Sequence, residues 1–207
     1  MSEFVSSTFG LISGRHGSAV AMKSKSTGKN YLRLYSTPSD PKTTKQIAQR
    51  AKFGFVVHEM NCFHNLFKIT FGGNQGVYHG ISLAFKAVTG EYPNYSIDFT
   101  KLIISSGSLD VTGNVTAEKT VGTTVKVDWD TTIGFQSHED DGVNLVFMNE
   151  LNRVGILKQN IAMRNTGDTT VELPAIWANL EIHCWLFFTT PDGSVNSDSQ
   201  YIGTVQL

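Results

Sequence analysis

The chain has 207 residues, 40% of them hydrophobic and 17% charged, with a formal net charge of −1. That composition excludes global disorder and allows one large or two small domains. No apolar run approaches the roughly 18 residues of a membrane-spanning helix, and the start MSEFVSSTFG has neither the basic cluster nor the apolar stretch of a secretory signal. A chain that stays in the cytoplasm or is built into a particle is therefore expected.

The neutral total hides an asymmetry. Residues 1–60 hold nine Lys/Arg against three acids, a net +6, and residues 61–207 hold eight against fifteen, a net −7. A split of this kind suits an anionic partner at the N-terminal end, or the acidic part of a neighbouring copy.

The opening stretch "GLISGRHGSAVAMKSKSTGKNYLRLYS" mixes Gly, Ser and Lys with an apolar beat. "SAVAMKSK" and "KNYLRLYS" flank "STG", which predicts a β-hairpin. In its second arm Tyr31, Arg33 and Tyr35 fall on one face and Leu32 and Leu34 on the other. Gly10, Gly14 and Gly17 predict sharp turns before it. Such a ribbon needs a surface to cover its apolar side.

"STPSDPKTTKQ" ends the ribbon. Asp40 is a candidate helix N-cap with Pro41 at the first helical position, and Thr43 with Gln46 offers a capping box one turn later. A helix is predicted over "TTKQIAQRAKFGFVVHEMNCFHNLF", whose second half is apolar nearly all round and so calls for more than one neighbour. A second helix is predicted at about 75–88, stopped by Gly90. "EYPNYSID" reads as an extended connector.

From Lys101 the period becomes two. Strands are predicted at "KLIIS", "GNVTAE", "TTVKVDW", "VNLVFMN", "GILKQNI", "TTVEL", "NLEIHCWLFF" and "YIGTV", separated by Gly, Asp, Asn and Pro turns. That rhythm predicts a β-sandwich. The expected fold class is α+β: an N-terminal hairpin arm plus two helices over residues 1–100, and an immunoglobulin/fibronectin-like β-sandwich over 101–207.

Chemistry-bearing motifs are weak. "STGKN" lacks the spacing and the following helix of a phosphate loop. His58 and His64 fall on different helix faces and His79 lies elsewhere, so no metal is expected. Asp128 and Asp130, or the "HEDDG" cluster at 138–142, are candidate carboxylates for a hydrolase, but no G-x-S-x-G, H-E-x-x-H or G-x-G-x-x-G occurs. Cys62 and Cys184 read as reduced, buried small residues. No catalytic residue, cofactor or metal is assigned, and the chain is not expected to be an enzyme.

Nearly the whole chain resembles an uncharacterised bacterial family known only as a domain of unknown function. The likeness rests on "GLISGRHGSAV", on Gly28, Lys29, Tyr31 and Arg33 in the hairpin, on Thr44, Gln46, Arg50 and Phe53 beyond it, and on Ser197, Ser199, Tyr201 and Gly203 near the end. The chain departs from the family in "VAMKSKSTGK", where members often carry a Trp-Lys-Gly turn, and in Asp198, where Asn is common. From about residue 101, "TTVKVDWD" and "TTVELPAIWANLEIHCWLFFTTPDGSVNSDSQ" are similar to a fibronectin type III or immunoglobulin-like sandwich, a fold that implies binding or building.

The functional expectation is a structural, self-associating building block of a bacterial or phage-derived particle, tube or filament. The residues expected to make the assembly contact are Arg15, Lys23, Lys25, Lys29, Arg33 and Lys42. The partners are further copies or other assembly subunits. The alternative is a module that binds nucleic acid or another polyanion through the same residues.

Overall fold

The computed structural model describes residues 2–3, 13–24, 28–37, 39–40 and 42–207. They form two compact units, Met1–Thr43 and Thr44–Leu207. In the first, β1 (Ser2–Glu3), β2 (Gly14–His16), β3 (Ala19–Lys23) and β4 (Asn30–Leu34) make an antiparallel sheet in the order β1-β4-β3-β2. The expected hairpin is β3–β4, with Ala19 opposite Leu34 and Lys23 opposite Asn30. Gly14 and Gly17 stand at φ 103° and 62°, where a side chain would be strained. Gly10, Lys25, Ser26, Thr27, Pro38 and Pro41 lie outside the described residues.

In the second unit, α1 spans Thr44–Glu59 and runs through a 3₁₀ turn at Met60–Phe63 into α2 (His64–Thr70); α3 follows at Gly73–Lys86. The helix thus starts after Thr43, the later of the two expected caps, and not at Asp40. The first predicted helix breaks at Met60–Phe63. Close packing of α2 on α3 explains Gly80: a Cβ there would sit 2.5 Å from the Phe67 ring.

The expected helix stop at Gly90, the extended connector after it and the strand "KLIIS" differ from the structure. Gly90 does not stop α3, which ends at Lys86; Gly90 lies in β5 (Val88–Glu91), paired with β6 (Asn94–Ile97) across the Tyr92–Pro93 turn. "EYPNYSID" is therefore half of a hairpin. "KLIIS" is not a strand. It is extended, with Leu102 and Ile104 buried, but its backbone bonds are scattered: the Ser199 hydroxyl accepts the Ile104 N–H at 3.0 Å, the Thr70 hydroxyl donates to the Ile104 carbonyl at 2.8 Å, and the Ser199 N–H donates to the Ser105 carbonyl at 3.0 Å. No ladder forms for a strand to join.

The seven remaining predicted strands are present: β7 (Val115–Lys119), β8 (Thr124–Trp129), β9 (Gly142–Asn149), β10 (Val154–Met163), β11 (Asp168–Glu172), β12 (Glu181–Thr189) and β13 (Gln200–Gln206). They split into a four-stranded sheet, β10-β9-β12-β13, and a three-stranded sheet, β11-β8-β7, all antiparallel. Between these sheets lie Val125, Val127, Trp129, Val143, Leu145, Phe147, Ile182, Cys184, Leu186 and Phe188.

The alternate residues of β9 and β12 point the other way. Val146, Met148, Trp185 and Phe187 join Val56, Met60, Phe63 and Phe67 of the helical segment in a second core. The four-stranded sheet is thus the middle of three layers, which is why every residue of β9 is buried. The expected division near residue 100 differs from the observed one. Contacts thin out at Thr43, and the helices share a core with the sandwich. Among the described residues no helix is long and apolar enough to cross a membrane.

Of the two thiols expected to be buried, Cys184 lies in the core between the sheets, whereas Cys62 is half-buried against the helical core. Burial pushes Cys184 up from 9.0 to about 12 and Cys62 to about 11. An unfolded chain would ionise both near the ordinary value, so it loses protons before the folded chain does. The thiols' contribution should therefore be flat below about pH 8 and should lower stability as pH rises beyond the unfolded thiol value. Denaturant midpoints measured from pH 7 to 10 should show this fall, and Cys184→Ala should flatten it.

Candidate functional site

The six basic residues singled out from the sequence do not form one cluster. Arg15 lies opposite Val20, and Val20 opposite Arg33, so these three side chains share a row on one face of the arm sheet. Met22 and Tyr31 form the next row on that face. The Arg15 guanidinium stands 3.8 Å from the centre of the Tyr35 ring, and its Nε donates to the Gly17 carbonyl at 3.1 Å. This fixes a permanent charge against an aromatic surface. Tyr31, Arg33 and Tyr35 thus share a face, as expected from period two.

Lys23 is on the opposite face with Ala21, Leu32 and Leu34. The Lys29 carbonyl accepts the Ser24 N–H at 2.9 Å and closes the hairpin turn. Lys42 stands at φ 47° just before α1. Lys25 lies outside the described residues.

The candidate carboxylates each have a local task. Asp128 accepts from Lys126 Nζ at 2.6 Å, and the same ammonium is 3.6 Å from Asp168. Asp130 accepts the hydroxyl and the N–H of Thr132, bonds that hold its carboxyl below the usual range. In "HEDDG", Glu139 and Asp140 are exposed, but Asp141 is fully buried. Its Oδ2 accepts from Arg164 Nε at 3.2 Å and from the His138 N–H at 2.9 Å. These groups do not converge on a common cleft. Among the described residues, no three His, Cys, Asp or Glu side chains are placed to hold a metal ion.

One concave site escaped the sequence reading. A cleft of about 590 Å³ lies between the end of α1, β6 and the β9–β10 turn. Arg153, at φ 50° in that turn, directs its Nε to both oxygens of the buried Glu59, at 2.8 and 2.9 Å. His183 lies 2.9 Å from the Tyr201 hydroxyl through Nδ1 and 3.4 Å from Glu150 through Nε2, with its ring 4.0 Å from that of Phe99. Burial raises the Tyr201 phenol above its usual range. It stays protonated at neutral pH and is no activated nucleophile. Glu59 and Arg153 are far apart in the chain, and no spacing rule links them.

Residues 12–203 match the family of unknown function DUF6266. The chain belongs to that family. No curated protein matches the chain. The residues that carry the resemblance near the C-terminus have structural tasks. The buried Ser197 hydroxyl accepts the Phe188 N–H at 2.8 Å, and Ser199 holds the 102–105 segment through Ile104. Asp198 accepts from the Ser106 hydroxyl and the Gly107 N–H, at 2.7 and 3.2 Å. An Asn at this position offers the same acceptor oxygen. Tyr201 braces His183, and Gly203, at φ 135°, stands where the β12–β13 register shifts. This DUF6266 signature pins the helix–sandwich body together.

Proposed function

We propose that this DUF6266 protein is a structural, self-associating subunit of a bacterial or phage-derived particle, tube or filament, and that it works without catalysis through its basic arm. The observation that carries this reading is the arm itself. Its four-stranded sheet has one buried hydrophobic side chain among the described residues, Ala21, while Met22 is 42% exposed and Leu34 79% exposed. A small sheet with so little core needs another surface to cover it. Charge supports a second copy as that surface. Residues 1–43 carry six Lys/Arg against two acids, a net +4, and residues 44–207 carry eleven against sixteen, a net −5. A head-to-tail contact between unlike surfaces gives rings or filaments.

The purified full chain should run as a large, uniform species at low salt and loosen at high salt, measured by light scattering or sedimentation. The triple reversal Lys23→Glu, Lys25→Glu, Lys29→Glu, which removes half of the arm's basic charge, should lower the salt concentration at which the assembly dissociates. A wild-type monomer at both salts would overturn the reading. The basic-aromatic row of Arg15, Arg33, Tyr31 and Tyr35 also suits a polyanion. That alternative requires a monomer whose binding to single-stranded nucleic acid falls steeply with salt.

A further inference from the structure

The outer face of the β11-β8-β7 sheet is polar and acidic. Its register sets Thr116, Asp128 and Asp168 in one row and Glu118, Lys126 and Thr170 in the next, with Thr124 and Glu172 beyond. Four carboxylates meet a single ammonium, and that ammonium is already engaged by Asp128 and Asp168. Glu118 and Glu172 are exposed and have no ion-pair partner among the described residues. The inward side of these strands is the sandwich core, so this face has no part in holding the sheets together.

We infer that this acidic face is the acceptor for the arm of a second copy, which lays its Arg15/Arg33 face on it sheet to sheet. The inference rests on the arm-mediated association proposed above and adds the place where the arm lands. The acceptor has three antiparallel strands of five, six and five residues, and the arm face that carries Arg15 and Arg33 spans β2 of three residues and β3 and β4 of five each. On the arm, Arg15 and Arg33 stand in one row two strands apart, about 10 Å at the usual strand spacing. On the acceptor, Glu118 and Glu172 are on the two outer strands, one row offset, about 12 Å apart on the same geometry. Two guanidiniums, that of Arg15 held by Gly17 and Tyr35 and that of Arg33 exposed, therefore meet two carboxylates at a similar separation, the arrangement that sets register and orientation in an interface. Tyr31, Tyr35 and Met22, on the arm side, supply the kind of contact area that anchors interfaces, and the threonines opposite leave room for it.

The test uses two full-length variants. One carries Arg15→Glu and Arg33→Glu; the other carries Glu118→Lys and Glu172→Lys. All four positions are exposed, and circular dichroism with a thermal melt checks that both variants fold. Each variant alone should be monomeric at low salt. Mixed in equal amounts they should reassemble, because the reversed arm of one fits the reversed face of the other and the remaining two surfaces are native. If the arm variant is monomeric but the face variant assembles as the wild type does, the acceptor face is wrong and the arm reading stands. If both are monomeric and the mixture does not reassemble, the pairing of these two surfaces is overturned. If the arm variant also assembles like the wild type, the pairing of the Arg15/Arg33 face with this acceptor fails while the arm reading is tested by the lysine reversal; if the wild type is itself monomeric, both proposals fail. Should either reversal unfold the chain, the milder pairs Arg15→Gln/Arg33→Gln and Glu118→Gln/Glu172→Gln should each lower the salt concentration at which the assembly dissociates. An unchanged dissociation point in the folded face pair would overturn the acceptor assignment.

Discussion

Asp141→Ala should destabilise the protein by about 3–5 kcal/mol, because it leaves the Arg164 charge buried and uncompensated. The Arg164 side chain is 0% exposed, as is that of Asp141. Its guanidinium is held by Asp141 through Nε, by the Asp110 carbonyl through Nη2 at 2.7 Å, and by the face of Phe188 at 3.6 Å. Burial pushes its pKa down and Asp141 pushes it back up, and an arginine so far above neutral stays charged. The backbone is tied in as well: the Arg164 carbonyl accepts the Trp129 indole N–H and its N–H donates to the Asp141 carbonyl, both at 2.8 Å.

A loss of that size in a chain of this length corresponds to a fall of roughly 6–20 °C in Tm. The check is a urea midpoint that drops without a change in slope. Combining Asp141→Ala with Arg164→Met should recover part of the loss, since no charge is then stranded. An Asp141→Ala protein within about 1 kcal/mol of wild type would show that the pair is solvated through openings between the 130–141 loop and the sandwich.

Sequence pattern exposed most of the sheet and little of the wiring. β8 and β12 were legible because Val125, Val127 and Trp129, and Ile182, Cys184 and Leu186, keep period two along one buried face. β9 was legible as a continuous apolar run, yet nothing in its residues says that the two sides face different partners. That third layer made the helices and the sandwich one body instead of two. "KLIIS" takes its backbone partners from Ser199 and Thr70, which no local pattern marks, whereas the partner of "EYPNYSID", Val88–Glu91, is adjacent and carries no apolar alternation to mark it as a strand. The candidate contact residues suffer the same limit. Six basic positions can be read from a row of letters, but only the β2–β3–β4 register shows that Arg15 and Arg33 are neighbours and that Lys23 faces away. The Glu59–Arg153 pair has no signal short of the fold itself.

The shared second core leads to the other large effect. Trp185 is fully buried between the helices and the middle sheet, edge-on to Phe63 at 5.9 Å and to Phe99 at 6.1 Å, and beside Tyr201 at 5.3 Å. Trp185→Ala should cost about 3–5 kcal/mol, the usual range for emptying an aromatic site in a packed core. Trp185→Phe should cost much less, because it keeps most of the ring contact and removes an indole N–H that has no acceptor among the described residues. The more telling readout is cooperativity. Trp129 and Trp177 lie in the core between the sheets, so their fluorescence reports the sandwich, while far-ultraviolet circular dichroism near 222 nm follows α1, α2 and α3. If residues 44–207 are one body, both signals in Trp185→Ala shift together and stay coincident. If the helices melted at lower denaturant while Trp129 and Trp177 kept their native emission, the helical segment and the sandwich would be separate folding units. The division near residue 100 would then be the physically meaningful one.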